Sequence, residues 1–195
     1  MNKHFLVIAL FVLCSVSCRK SDLTNPMDNI PQMQYKNLED RRITFGNSYA
    51  CDVDDDGVND FAIHTEYLGK PAERVDCQQF YFSGAFLTYS PVDSNEQTPL
   101  LNTGNAIGKN SYANHSWYNA THLLLSEKVI TMSGNDYWQG KWKEVSHKYL
   151  AFAVKKNGKL HYAWLELSFS QSTEALILHR VGIAVLPERD VFAGK

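Results

Sequence analysis

The chain has 195 residues, of which 44% are hydrophobic and 12% aromatic, and its formal net charge is −2. That length and composition suit one globular domain, with aromatics that favour strands over helices. Nineteen Lys and Arg face 21 Asp and Glu, so there is no bulk basic field, and nucleic acid is excluded as an expected partner.

Residues 1–17 carry the parts of an export signal. Lys3 is the positive start, Phe5 to Leu13 is an apolar run, and Ser15-Val16-Ser17 places small residues before Cys18. The run is about nine residues, too short for a hydrocarbon core that needs ~20. The cleavage zone resembles a bacterial lipobox. That resemblance implies a lipid on Cys18 as the first mature residue, and more than one acyl chain gives stable membrane anchoring. Residue 19 is Arg rather than Asp, which by resemblance to Gram-negative lipoproteins implies the outer membrane, with the periplasmic or surface face left open. Residues 18–40 are polar, contain Pro26 and Pro31, and show no period. They are expected to be a tether, followed by a folded domain over 41–195.

From Arg41 onward, short β-type runs alternate with turn residues. Ile43, Phe45 and Tyr49 form an expected first strand. In the run from Val58 to Tyr67, Phe61, Ile63 and Thr65 share one face while Ala62, His64 and Glu66 share the other, the mark of a half-buried strand. Further strands are expected at Cys77 to Tyr89, Leu123 to Met132, Tyr149 to Lys155, Leu160 to Phe169 and Ala175 to Leu186. Asn157-Gly158 lies between two of them and reads as a type I′ hairpin, which needs positive φ at both central residues. Residues 102–122 are polar and give no clear period. The expected fold is all-β, a single antiparallel β-sandwich.

The stretch Asp52-Val53-Asp54-Asp55-Asp56-Gly57-Val58-Asn59-Asp60 is the most specific motif. Carboxylates at positions 1, 3, 5 and 9 can wrap oxygens around one hard cation, and Ca²⁺ accepts such a shell. Asp52, Asp54 and Asp56 would supply side-chain oxygens, Val58 its carbonyl, and Asp60 a direct or water-mediated ligand. Gly57 permits the sharp turn. An EF-hand would need Glu where Ile63 stands, and the flanks read as strands. The loop therefore resembles the calcium hairpins of integrin-type propeller blades, which implies a structural ion. In an exported domain, Cys51 and Cys77 have one intramolecular pairing. A disulfide closing their loop of about 26 residues would contribute roughly 3 to 4 kcal/mol, and ion and disulfide together would fix one end of the sheet.

Toward the C-terminus stand His161-Tyr162-Ala163-Trp164-Leu165-Glu166-Leu167, the strand to Val185, and Phe192-Ala193-Gly194. With the acidic hairpin and the apolar run Tyr149 to Val154, they resemble a family of exported bacterial β-domain lipoproteins. That family carries an Asp-x-Asp-x-Asp-Gly-x-x-Asp hairpin, a Tyr-Gly-Trp strand and a terminal Ala-Gly. Here Ala163 stands for the Gly of that strand, and Val181-Gly182 replaces an Ala-Tyr pair. The resemblance spans about 45–192 and implies fold and export, not chemistry.

Trp117, Tyr118, Tyr137, Trp138 and Trp142 are set among polar residues, and exposed rings of this kind can stack on sugars. They are a candidate ligand surface, against the alternative that they pack the core. His64 and Glu66 on one strand face would need a third ligand, His161 or His179, to hold zinc. No nucleophile elbow, His-Glu-x-x-His helix or phosphate loop occurs, and no catalytic residue is assigned. The expectation is a cell-envelope lipoprotein with a calcium-stabilised sandwich, acting in binding or as a structural surface component. Its partners would be the membrane and a glycan or envelope protein. Carbohydrate capture is the first alternative and an envelope hydrolase the second.

Overall fold

The computed structural model describes residues 31–195; the export signal 1–17, Cys18 and the first part of the expected tether lie outside the described residues. Every ladder among the described strands is antiparallel. Numbered in chain order, one sheet runs β1 (Met33–Ile43), β12 (Ala175–Ala184), β11 (Lys159–Ser170), β10 (Lys148–Lys156), β5 (Thr88–Val92) and β7 (Ser116–Asn119). The second runs β2 (Tyr49–Cys51), β3 (Phe61–Lys70), β4 (Val75–Gly84), β8 (His122–Thr131) and β9 (Tyr137–Gln139). A short ribbon pairs β6 (Ala106–Ile107) with β13 (Val191–Phe192). Strand pairing thus begins at Met33, the start of β1, rather than at 41. β1 is an edge strand of mostly polar residues, so no apolar alternation announced it.

The main core lies between the two large sheets. Alternation supplies it: Phe61 and Ile63 from β3, Phe80 and Phe82 from β4, and Leu123 and Leu125 from β8 meet Leu150, Phe152, Leu165 and Leu167 from the facing sheet. The arrangement is β-sandwich-like. Phe61 stacks on Phe82 at 5.1 Å between centroids and meets Phe152 edge-on at 5.4 Å.

The other face of β10 and β11 is also covered. Tyr149, Ala151, Ala153, Tyr162 and Trp164 pack with Ile107, Val191 and Ala193 in a second core. Burial on both faces is why these two strands read as continuous apolar runs rather than alternating ones. The second core depends on close approach. A Cβ on Gly182 would sit 2.7 Å from the Trp164 ring and 3.1 Å from Tyr35. Asn157 and Gly158 have φ of 50° and 80° between the paired Lys156 and Lys159, as a type I′ turn requires.

The expected Cys51–Cys77 disulfide is absent; both cysteines are free and buried. Topology forbids the bond. Cys51 pairs with Phe61 and Cys77 with Leu68, at opposite ends of β3. Seven residues of strand separate those points by about 23 Å, whereas bridged Cα atoms lie within about 7 Å. The faces also differ. Cys51 belongs to the main core, while Cys77 alternates with Gln78, Phe80 and Phe82 and so shares the outer face with Gln79 and Tyr81. Burial pushes both thiols up, which keeps them protonated and unreactive.

Candidate metal centre

The acidic loop joins β2 to β3 and is closed by the Asp60 N–H donating to the Cys51 carbonyl at 2.8 Å. Its turns are made by its own carboxylates. Asp52 Oδ2 accepts the Gly57 N–H at 2.8 Å, and Oδ1 accepts those of Asp54 and Asp56, each at 3.3 Å. Asp56 Oδ1 accepts the Val58 N–H at 2.9 Å. Asp55 and Gly57 have φ of 59° and 90°. Gly57 is needed for that backbone and not for space, since a Cβ there would meet nothing within 4 Å.

Val53 points the other way, into the main core, and its N–H donates to Asp60 Oδ2 at 2.8 Å. Thr88 Oγ1 donates to the Asp60 carbonyl at 2.6 Å and so ties the loop to β5. These bonds hold the start and end of the loop together. Carboxylate oxygens of Asp52, Asp54 and Asp60 all lie within 4.8 Å of one another. Burial pushes the Asp60 carboxyl up to about 6, against the Val53 N–H, which favours its charge, and reinforced by Asp54, Asp56 and Asp52. At Asp52, burial opposes ionisation, but the N–H groups of Gly57, Asp56 and Asp54 outweigh it and hold the carboxyl low. A cluster that can coordinate a divalent cation is therefore present. Of the five expected ligands, Asp52, Asp54 and Asp60 converge. Asp56 is exposed and turned to the Val58 N–H, and Val58 is exposed.

Two lysines enter from the facing sheet. The Lys156 ammonium lies against Asp54 Oδ2, and the Asp54 side chain is only 3% exposed. That oxygen is buried and accepts no well-aligned hydrogen bond. Lys36 Nζ donates to the Asp52 carbonyl and, at 2.7 Å, to Asp55 Oδ1. Gln34 Nε2 donates to Asp55 Oδ2 at 3.0 Å, so Asp55 docks the loop onto β1. These lysines come from segments about 16 and 100 residues away in sequence, so nothing local in the motif revealed them.

The five aromatic candidates do not share a surface. Trp142 is 1% exposed, belongs to the main core, and donates its backbone N–H to the Leu125 carbonyl. Trp138 on β9 packs against Phe80 and Phe169. Trp117 on β7 packs on Tyr162 of the second core. Tyr118 and Tyr137 are 57% and 51% exposed, but they lie on edge strands of different sheets.

His161 and His179 do not join His64. His161 Nδ1 contacts the Ala184 carbonyl at 2.9 Å. His179 lies between Ser168 Oγ, 2.8 Å from Nε2, and Asp40 Oδ1, 2.6 Å from Nδ1. That is the atom order of a Ser-His-Asp relay. Ser168 Oγ, however, is buried and accepts the His147 N–H at 2.9 Å, and the His147 ring stacks on His179 at 4.1 Å. The hydroxyl is committed to structure. It ties the Leu167–Ser168 end of β11 to bulges in β1 and β12, where Asp40 has φ of 50°. Beside it, Glu166 is buried. Burial opposes its charge, but Arg180 Nε at 2.6 Å and His147 Nδ1 at 2.8 Å outweigh that and hold the carboxyl low.

No protein-family model matches the chain, and no curated protein or solved structure matches it.

Proposed function

We propose that the loop 52–60 binds Ca²⁺ and that this ion organises one end of a β-sandwich exported as a cell-envelope lipoprotein through Cys18. The protein serves there in binding or as a structural surface component. The observation that carries this reading is the convergence of Asp52, Asp54 and Asp60, with Asp54 Oδ2 buried and held only by the Lys156 ammonium. Three like charges in a partly desolvated loop oppose folding, and a divalent ion reverses that sign. Oxygen-only ligands favour a hard cation. The ion displaces the Lys156 ammonium, which holds one of these oxygens without it.

A structural role is supported by where the loop is pinned, through Val53 into the core and Asp60 to β5. The scattered aromatics give a sugar-stacking platform little support. The test is thermal melting in CaCl₂ and in EGTA. Extracellular modules bind with Kd on the order of 10⁻⁴ to 10⁻³ M. At about 10 mM Ca²⁺ that stabilises by about 1.4 to 2.7 kcal/mol, or roughly 3 to 10 °C for a chain of this size. Equal melting temperatures in the two buffers would overturn the reading.

A further inference from the structure

Beyond Asp60, β3 carries His64 and Glu66 on the outer face of the five-stranded sheet, about 13 Å from the acidic loop. The ladders bring a third residue to them. His64 lies opposite Tyr81 on β4, and Ser83, two residues on, lies opposite His122 on β8. His64 Nε2 is 3.3 Å from Glu66 Oε1, and His122 Nε2 is 3.5 Å from the same oxygen. All three ligand atoms lie within 4.8 Å of one another.

The geometry points to a second cation site, His64–Glu66–His122, for a divalent transition ion of the Zn²⁺ class. A tetrahedral ion with bonds of about 2.0 to 2.1 Å spaces its ligands about 3.3 Å apart. The two nitrogen–carboxylate separations already match that spacing. Two imidazoles and one carboxylate suit Zn²⁺ and its neighbours and not Ca²⁺, whose shells are all oxygen. Chemistry therefore separates this site from the acidic loop.

The surroundings orient the ligands. Ser83 Oγ is 2.7 Å from His122 Nδ1. When it accepts the Nδ1 proton, Nε2 is left with its lone pair toward Glu66, the outer-shell arrangement common in metal sites. The Tyr81 ring stacks on His122 at 4.0 Å and on His64 at 5.6 Å, with interplanar angles of 20° and 16°. This wall fixes both imidazole planes. Three protein ligands leave a fourth position for water or one small ligand. His122 also borders a groove of 380 Å³ lined by Tyr81, Gln97, Thr98 and Lys141.

The probe is Zn²⁺ alone, titrated into the protein against a chromophoric chelator, with thermal melting alongside. One ion per chain is expected beyond any bound by the double variant H64Q/H122Q, and Zn²⁺ should raise the melting temperature of the wild type and not of that double variant. H64Q and H122Q should each weaken binding by more than about 10-fold, and S83A by about 10-fold. These side chains are half-exposed, so unchanged melting without metal shows that the variants fold. D54N should bind Zn²⁺ as the wild type does. Equal affinity in the wild type and H64Q/H122Q would overturn the inference. So would loss of Zn²⁺ binding in D54N, which would move the ion to the acidic loop.

Discussion

Lys156→Met isolates the part played by charge in the acidic loop. The methionine keeps the apolar stem of the lysine and removes only its ammonium. Asp54 is 3% exposed at its side chain and Lys156 is 32% exposed. Breaking a fully buried pair costs about 3 to 5 kcal/mol, whereas an exposed pair is worth about 0.2 to 1 kcal/mol. A carboxylate buried on one side of a partly wet pair falls between these limits, at about 1 to 3 kcal/mol. In EGTA the variant should therefore melt roughly 3 to 10 °C below the wild type. In CaCl₂ the gap should close. The ion replaces the missing positive charge and no longer has to displace an ammonium, so the deficit should largely vanish. Ca²⁺ affinity should rise by the same coupling, about 5-fold or more. Paired melting curves and calorimetric titrations of both proteins measure this directly. If Ca²⁺ stabilises Lys156→Met no more than the wild type, ammonium and cation do not share Asp54.

Two further outcomes test the fold around the site. Gly182→Ala places a methyl group 2.7 Å from the fully buried Trp164 ring, which has no room to retreat; a loss of about 1 to 3 kcal/mol is expected from chemical denaturation, and an unchanged midpoint would show that the second core is looser than described. Glu166→Gln should destabilise at pH 7 by about 1 to 2 kcal/mol, after discounting the 45% exposed Arg180 for screening. Because the folded carboxyl is held below its unfolded value of about 4.3, its contribution is complete above that value and disappears as pH falls through the folded one. The gap between variant and wild type should therefore close below about pH 4, and a gap constant with pH would refute the assignment.

Local signals were legible where one physical cause acted alone. The alternation of Phe61, Ile63 and Thr65 marked β3 because one face is buried, and Asn157-Gly158 marked a turn because its φ values demand those residues. The acidic nonapeptide disclosed a loop whose ends meet because its spacing is a backbone requirement. What failed depended on distant pairing. Cys51 and Cys77 suggested a bridge by elimination, yet β3 holds them at its two ends. His122 was hidden in the polar stretch 102–122 and becomes a neighbour of His64 only through the β3–β4–β8 register. Lys36 and Lys156 reach the loop from the other sheet. The aromatic group looked like one feature because its members are close in sequence, but β7, β9 and the core divide it.

The most direct test of the proposed calcium site is isothermal titration of Ca²⁺ into metal-free wild type and Asp52→Asn at pH 7.5. One site per chain is expected, with Kd on the order of 10⁻⁴ to 10⁻³ M, lost in the variant because Asp52 is a proposed ligand and its carboxylate also shapes the turn. Absence of a saturable site in the wild type, or an unchanged isotherm in Asp52→Asn, would contradict it.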